Sequence, residues 1–138
     1  MILVDTSAWV EFDRATGSNV DSRLTELIAS SDAVAVTEPV IMEVLAGARN
    51  DRRASDLRRL LDRFVLLRFE VDAVVDFDGA TTIHRTCRRR GVTPRGMIDC
   101  KIHCMIAAVA LRHGVSLLAA DADLHRVAGV MEIAIDRT

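Results

Sequence analysis

The chain has 138 residues, half of them apolar, and a formal net charge of −2. That length suits one domain, residues 1–138, able to bury roughly two-thirds of its unfolded surface, and its apolar runs fall well short of the roughly 20 residues that would span a bilayer. So small a net charge excludes general coating of nucleic acid, which rests on a large positive excess, and confines any such contact to a local patch.

Ile2 to Val4 reads as a strand ending at Asp5, with no basic leader or cleavage site before it, so a cytoplasmic location is expected. Thr6 or Ser7 then caps a short helix through Trp9, Val10 and Phe12, with Trp9 read as core. A second helix places Val20, Leu24, Leu27 and Ile28 on one face and ends in Ser30-Ser31-Asp32. Ala33 to Val36 is a strand, and Thr37 caps a helix that tolerates Pro39 in its first turn, carries Glu43 and stops at Gly47. Leu57, Leu60, Leu61 and Phe64 mark a further helix, followed by a strand from Val65 to Phe69. Asp72 opens a long helix that ends in an arginine run and Gly91. After a Thr93-Pro94 turn, the helix from Ile98 to His113 stops at Gly114. Ser116 to Ala119 is a strand, Asp121 and Asp123 open a short helix, and Glu132 to Ile135 is a final strand. This alternation implies an α/β fold with a mostly parallel sheet covered by helices.

Asp5, Glu43, Asp99 and Asp121 are far apart in the chain but fall near strand ends and helix starts. In an open parallel sheet those ends face one crevice. Carboxylates gathered there need a counter-charge, and a divalent cation supplies it. Hard oxygen donors select Mg2+ or Mn2+, which activate water and stabilise the charged transition state of phosphodiester hydrolysis. Asp5 and Asp99 are read as direct ligands, with Glu43 and Asp121 binding directly, through water, or orienting the attacking water. Asp123 and His103 are further candidates, although Asp123 also suits a helix-capping role. Thr6 and Ser7 offer hydroxyl donors to a carboxylate or a substrate phosphate. Seventeen of the eighteen basic residues are arginine, and Arg85, Arg88, Arg89, Arg90 and Arg95 crowd before the third acid, a backbone-gripping patch in which Arg88, Arg89 and Arg95 are substrate-binding candidates. Cys87, Cys100 and Cys104 read as reduced thiols, since a structural zinc site would want four ligands.

Met1-Ile-Leu-Val-Asp5-Thr6-Ser7-Ala-Trp9, Glu38-Pro39 with Glu43-Val-Leu-Ala-Gly47, Thr93-Pro-Arg95 leading to Asp99, Ile106-Ala-Ala-Val-Ala and Leu118-Ala-Ala-Asp121-Ala-Asp123 occur in that order. Together they resemble a PIN domain, and more narrowly the VapC toxins of bacterial VapBC toxin–antitoxin pairs. The resemblance runs essentially end to end. It implies a three-layer sandwich and a Mg2+- or Mn2+-dependent endoribonuclease cutting structured RNA such as tRNA or rRNA. It further implies a homodimer held inactive by a VapB-type antitoxin. The family's acids correspond to Asp5, Glu43, Asp99 and Asp121, with Asp123 at a further acidic position.

One departure touches the site. Counting back from Ile106 puts the third acid at His103, whereas counting forward from Thr93 and Arg95 puts it at Asp99. Ile98-Asp-Cys-Lys followed by Ile102-His-Cys-Met looks like a four-residue duplication. Four helical residues add about 6 Å of rise and roughly 40° beyond a full turn. The forward count and the better ligand chemistry of a carboxylate favour Asp99; an imidazole would suit Mn2+ or Zn2+ better than Mg2+. The alternative is a catalytically impaired RNA- or antitoxin-binding module. A receiver-like phosphoacceptor would need a lysine after the last strand region, but the sole lysine, Lys101, lies inside a helix. A haloacid-type phosphatase would need a second aspartate two positions after Asp5, where Ser7 stands.

Overall fold

A computed structural model describes residues 1–30, 33–72, 74–92 and 97–136, with the backbone alone for 97–100. Four strands, β1 (Ile2–Val4), β2 (Val34–Val36), β3 (Val65–Leu66) and β4 (Ser116–Leu118), pair in parallel in the order β3-β2-β1-β4. The connections are helical: α1 (Thr6–Asp13), α2 (Asn19–Ser30), α3 (Glu38–Ala46), α4 (Asp51–Leu61), α5 (Val75–Arg89) and α6 (Met97–His113), with α7 (Ala122–Met131) after β4. Every residue of β1 and β2 is buried. Such continuous apolar strands belong to a parallel sheet flanked by helices, as the sequence implies.

The chain builds from β1 outward to β2 and β3, then returns to the opposite edge of β1 for β4. That reversal leaves a crevice between the carboxyl ends of β1 and β4, where open parallel sheets bind ligands. Asp5 follows β1 directly and Asp121 lies just past β4. Trp9 is fully buried, with its ring centroid 5.7 Å from that of Phe64 and 6.0 Å from that of Phe12, so its core assignment holds. Cys87 and Cys104 are buried in the core. Left-handed glycines, Gly91 (φ +73°) and Gly114 (φ +63°), end α5 and α6 where expected. Among the described residues, no helix is long and apolar enough to cross a membrane.

Four local expectations are corrected. β3 stops at Leu66 instead of Phe69: the Leu67 N–H still reaches the Val36 carbonyl at 2.8 Å, but the Phe69 N–H turns away to the Glu38 carboxylate at 2.9 Å. α5 begins at Val75, not Asp72. Asp76, 1 % exposed, is gripped by both forks of Arg112 at 2.9 Å and accepts the Glu70 N–H at 2.6 Å, which folds the preceding loop inward and leaves Val74 left-handed. Arg112 also donates to the Arg68 carbonyl at 2.8 Å. Thr37 occupies the cap position of α3 but makes no side-chain capping bond. The final segment is no strand: Glu132 takes a left-handed turn after α7, and Ile135 forms a single parallel bridge to Leu117. The Thr93-Pro94 turn, Arg95, Ser31 and Asp32 lie outside the described residues.

Candidate active site

Asp5, Thr6, Ser7, Glu43, His103, Asp121 and Asp123 line one cleft of about 250 Å³ at the crevice between β1 and β4. Asp5 is 1 % exposed and its two oxygens have separate surroundings. Oδ2 accepts the Ser7 N–H at 3.0 Å and the Ser7 hydroxyl at 2.5 Å. Oδ1 is buried and has no partner among the described residues. Asp5, not Thr6 or Ser7, therefore caps α1. An aspartate readily accepts the N–H two residues on, and that bond frees Ser7 for another task.

The Ser7 oxygen accepts the N–H groups of Ala120 at 2.9 Å and Asp121 at 3.2 Å. One hydroxyl thus clamps the exit of β1 to the exit of β4. Replacing Ser7 with Ala is expected to cost about 1–3 kcal/mol, because two N–H groups lose their acceptor and Asp5 loses a donor. Thermal unfolding at neutral pH measures this cost, and an unchanged midpoint would contradict the clamp.

Burial pushes the Asp5 carboxyl above its ordinary range, against the opposing pull of the Ser7 hydroxyl and N–H, the nearby His103 and the Thr6 N–H. The net rise means that solvation lost on folding is not fully replaced by protein. Glu43 reaches the cleft from α3 by accepting the Thr6 hydroxyl at 2.7 Å. Asp121 caps α7 through the Leu124 N–H at 3.0 Å, while its Oδ2 lies 3.9 Å from His103 Nε2. Asp123 lines the cleft and pairs with Arg126. His125 contributes Nε2, 2.8 Å from the Ala119 carbonyl, and so fixes the turn after β4. The amino ends of α1 and α7 both meet the cleft, and their partial positive charge favours anionic groups there.

From α6, His103 enters the cleft with its side chain 12 % exposed and Nδ1 buried without a partner among the described residues. Asp99 belongs to the same helix one turn earlier, but its side chain lies outside the described residues. Arg88 and Arg89, exposed on the last turns of α5, are not among the residues lining this cleft. The structure thus brings Asp5, Thr6, Ser7, Glu43, Asp121, Asp123 and His103 together from four segments. The bridging role of Ser7 was missed in the sequence, where the Asp-x-Ser spacing was its signal.

Among the described residues, no three histidine, cysteine or acidic side chains stand close enough together to hold a metal ion as they are oriented. The donor set nonetheless fits a hard cation, which takes one or two carboxylates and fills its remaining positions with water. The buried, unpartnered Oδ1 of Asp5 is the atom that such an ion would satisfy.

The PIN domain family model matches residues 2–130. Ribonuclease VapC11 of Mycobacterium tuberculosis is 41% identical over 134 residues, covering 96% of both chains. The DNA-bound VapBC complex of Salmonella typhimurium matches at a TM-score of 0.73 and 18% identity, over 98% of this chain and 96% of that one. VapC20 of Mycobacterium tuberculosis, described as a sarcin–ricin loop cleaving toxin, matches at a TM-score of 0.64 and 20% identity, over 91% and 94%. Built on a β1–β4 crevice of clustered acids and matched across nearly its whole length, the chain belongs to the PIN-domain family, among the VapC ribonucleases.

Proposed function

We propose that the chain is the toxin of a type II toxin–antitoxin pair, an endoribonuclease that hydrolyses phosphodiester bonds in structured RNA with Mg2+ or Mn2+. The observation that carries this reading is Asp5: a 1 % exposed carboxylate with one oxygen spent on the fold and the other unpartnered in an acidic cleft. A cation bound there would lower the pKa of water and stabilise the charge of the transition state. Asp5 and Asp121 would hold it. Glu43, steadied by the Thr6 hydroxyl, orients the attacking water, and the amino ends of α1 and α7 draw the substrate phosphate into the cleft. Asp123 belongs to the surrounding shell, Thr6 and Ser7 act through the carboxylates to which they donate, and Arg95 joins Arg88 and Arg89 as a phosphate contact.

For the third ligand the support shifts from Asp99 to His103, whose ring lies in the cleft beside Asp121. An imidazole favours Mn2+ over Mg2+. His103→Ala protein is expected to bind Mn2+ about 10–100-fold more weakly, with a smaller change for Mg2+, whereas Asp99→Ala leaves Mn2+ affinity within about twofold. Isothermal titration of the two variants decides between them, and a loss confined to Asp99→Ala restores the carboxylate.

A VapB-type antitoxin and a homodimeric assembly are part of the proposal; the Salmonella neighbour is a VapBC complex. Ribosomal RNA or tRNA is the proposed substrate class, since VapC20 is described as cleaving the sarcin–ricin loop. The test is incubation of the purified chain with tRNA and rRNA fragments and either cation: cleavage abolished by EDTA supports the reading. Intact RNA under both cations, with Mn2+ still bound, would favour the impaired binding module that the four-residue duplication suggests.

A further inference from the structure

The second half of α5 carries Arg85, Arg88 and Arg89, with Arg90 as its C-cap, all exposed, and no acid occurs between Thr81 and Gly91. The acids of α5, Asp76 and Asp78, sit in its first turn, and Asp76 is committed to Arg112. Ion pairs among the described residues leave out all four arginines and Lys101. Basic residues in a last helical turn complement the helix dipole, which accounts for Arg88 and Arg89. It does not account for Arg85 and Lys101, which edge one groove of about 440 Å³ between α5 and α6 together with Arg88. Phe77, 45 % exposed, and Met105 give that groove an apolar wall. Along α5 it runs from Phe77 to Arg88, about 16 Å at 1.5 Å per residue.

Lys101 and Met105 share one face of α6, whereas His103, two residues on from Lys101, points about 200° round the helix into the acidic cleft. Groove and cleft therefore lie on opposite sides of α6, about one helix diameter, 10–12 Å, apart. We propose that the α5–α6 groove is a second RNA-binding surface that grips a single-stranded stretch of substrate away from the scissile bond, an inference that rests on the ribonuclease reading above. Guanidinium forks match phosphate oxygens and hold a backbone without reading its sequence. The Phe77 ring packs edge to face with Phe69 at 4.8 Å, and its 45 % exposed remainder offers a base an aromatic contact. A cationic rim over an apolar wall is the combination that single-strand binding requires.

The experiment compares wild type with Arg85→Ala/Arg88→Ala/Lys101→Ala protein, binding a labelled single-stranded RNA in EDTA across a series of salt concentrations. Exposed helix positions tolerate alanine, and retained Mn2+ stabilisation checks that the variant is folded. Affinity is expected to fall about tenfold or more, and the slope of log K against log salt to become shallower by about 2, near 0.7 for each lost phosphate contact. Cleavage loss should appear in KM more than in kcat. Unchanged affinity and slope in the variant of an active wild type would overturn the groove alone. So would a changed oligomeric state in light scattering with RNA binding intact, which would make this face a subunit interface. A wild type that neither binds nor cuts RNA would take down both readings.

Discussion

Asp5→Asn protein is expected to lose RNA cleavage by at least about 10³-fold, the scale of removing one preorganised group at a reacting centre, while melting no lower than wild type at pH 7. The two halves of this result share one cause. Asn keeps an oxygen for the Ser7 hydroxyl and N–H, so the cap of α1 and the clamp to β4 survive. What it removes is the charge, and the folded protein holds that charge against burial. A carboxyl whose pKa rises on folding contributes most at pH values below its unfolded range, and the contribution is lost as pH rises through the folded value. At neutral pH the wild type therefore carries a destabilising charge, and the variant does not. Thermal unfolding from pH 4 to 8, beside cleavage assays, measures both effects. A variant that melts well below wild type at pH 7, or that still cleaves RNA after careful purification, contradicts this role for Asp5. An active site held at a cost to stability is the usual exchange between function and folding.

The largest stability effect is expected at Arg112. Its guanidinium donates two 2.9 Å bonds to Asp76 and ties the loop carbonyl of Arg68 to α6. Burial alone would raise the Asp76 pKa, but the Arg112 hydrogen bonds, the Glu70 N–H and the charges of Arg112 and His113 outweigh it, and the net shift is downward. A depressed carboxylate contributes stability above its unfolded range, and that contribution is lost as pH falls through the folded value, here below 3.8. Arg112→Ala leaves a 1 % exposed carboxylate with only the Glu70 N–H, and the expected loss is about 3–5 kcal/mol at pH 7. The sign of the pH dependence should also invert. With the arginine gone, burial dominates, so the variant regains stability as pH falls toward the carboxylate range, where wild type gains nothing. Asp76→Asn added to Arg112→Ala should recover part of the loss at pH 7, because the unpaired charge disappears. Denaturant titrations at pH 5 and pH 7 measure both quantities. Equal stability of Arg112→Ala and wild type at pH 7 would show the pair to be ornamental.

The sequence made the sheet and two of the acids legible for a physical reason: apolar strands followed at once by aspartates leave few other arrangements. Asp5 and Asp121 both stand where a strand hands over to a helix, and both cap that helix while facing the cleft. Local competition hid the rest of that corner. Asp5, Thr6 and Ser7 are all good caps, and only the approach of Ala120 and Asp121 shows that Ser7 joins two strand ends. The start of α5 depends on Arg112, 36 residues from Asp76, so no nearby residue could mark it. Glu132 to Ile135 has a strand's composition, but the left-handed turn at Glu132 leaves it one bridge. At α6 the duplication offered two registers equally compatible with helix periodicity. The cleft contains His103, and its neighbour Asp121 comes from the other side of the crevice, a contact that spacing alone does not reveal.

The most direct measurement is anomalous scattering from crystals soaked in Mn2+. A bound ion within about 2.0–2.6 Å of Asp5 Oδ1, with Asp121 or His103 in its coordination or water shell, is the expected result. A well-diffracting soaked crystal with no anomalous density in the cleft, or with Mn2+ bound only elsewhere on the surface, would contradict a shared cation as the purpose of this acidic centre.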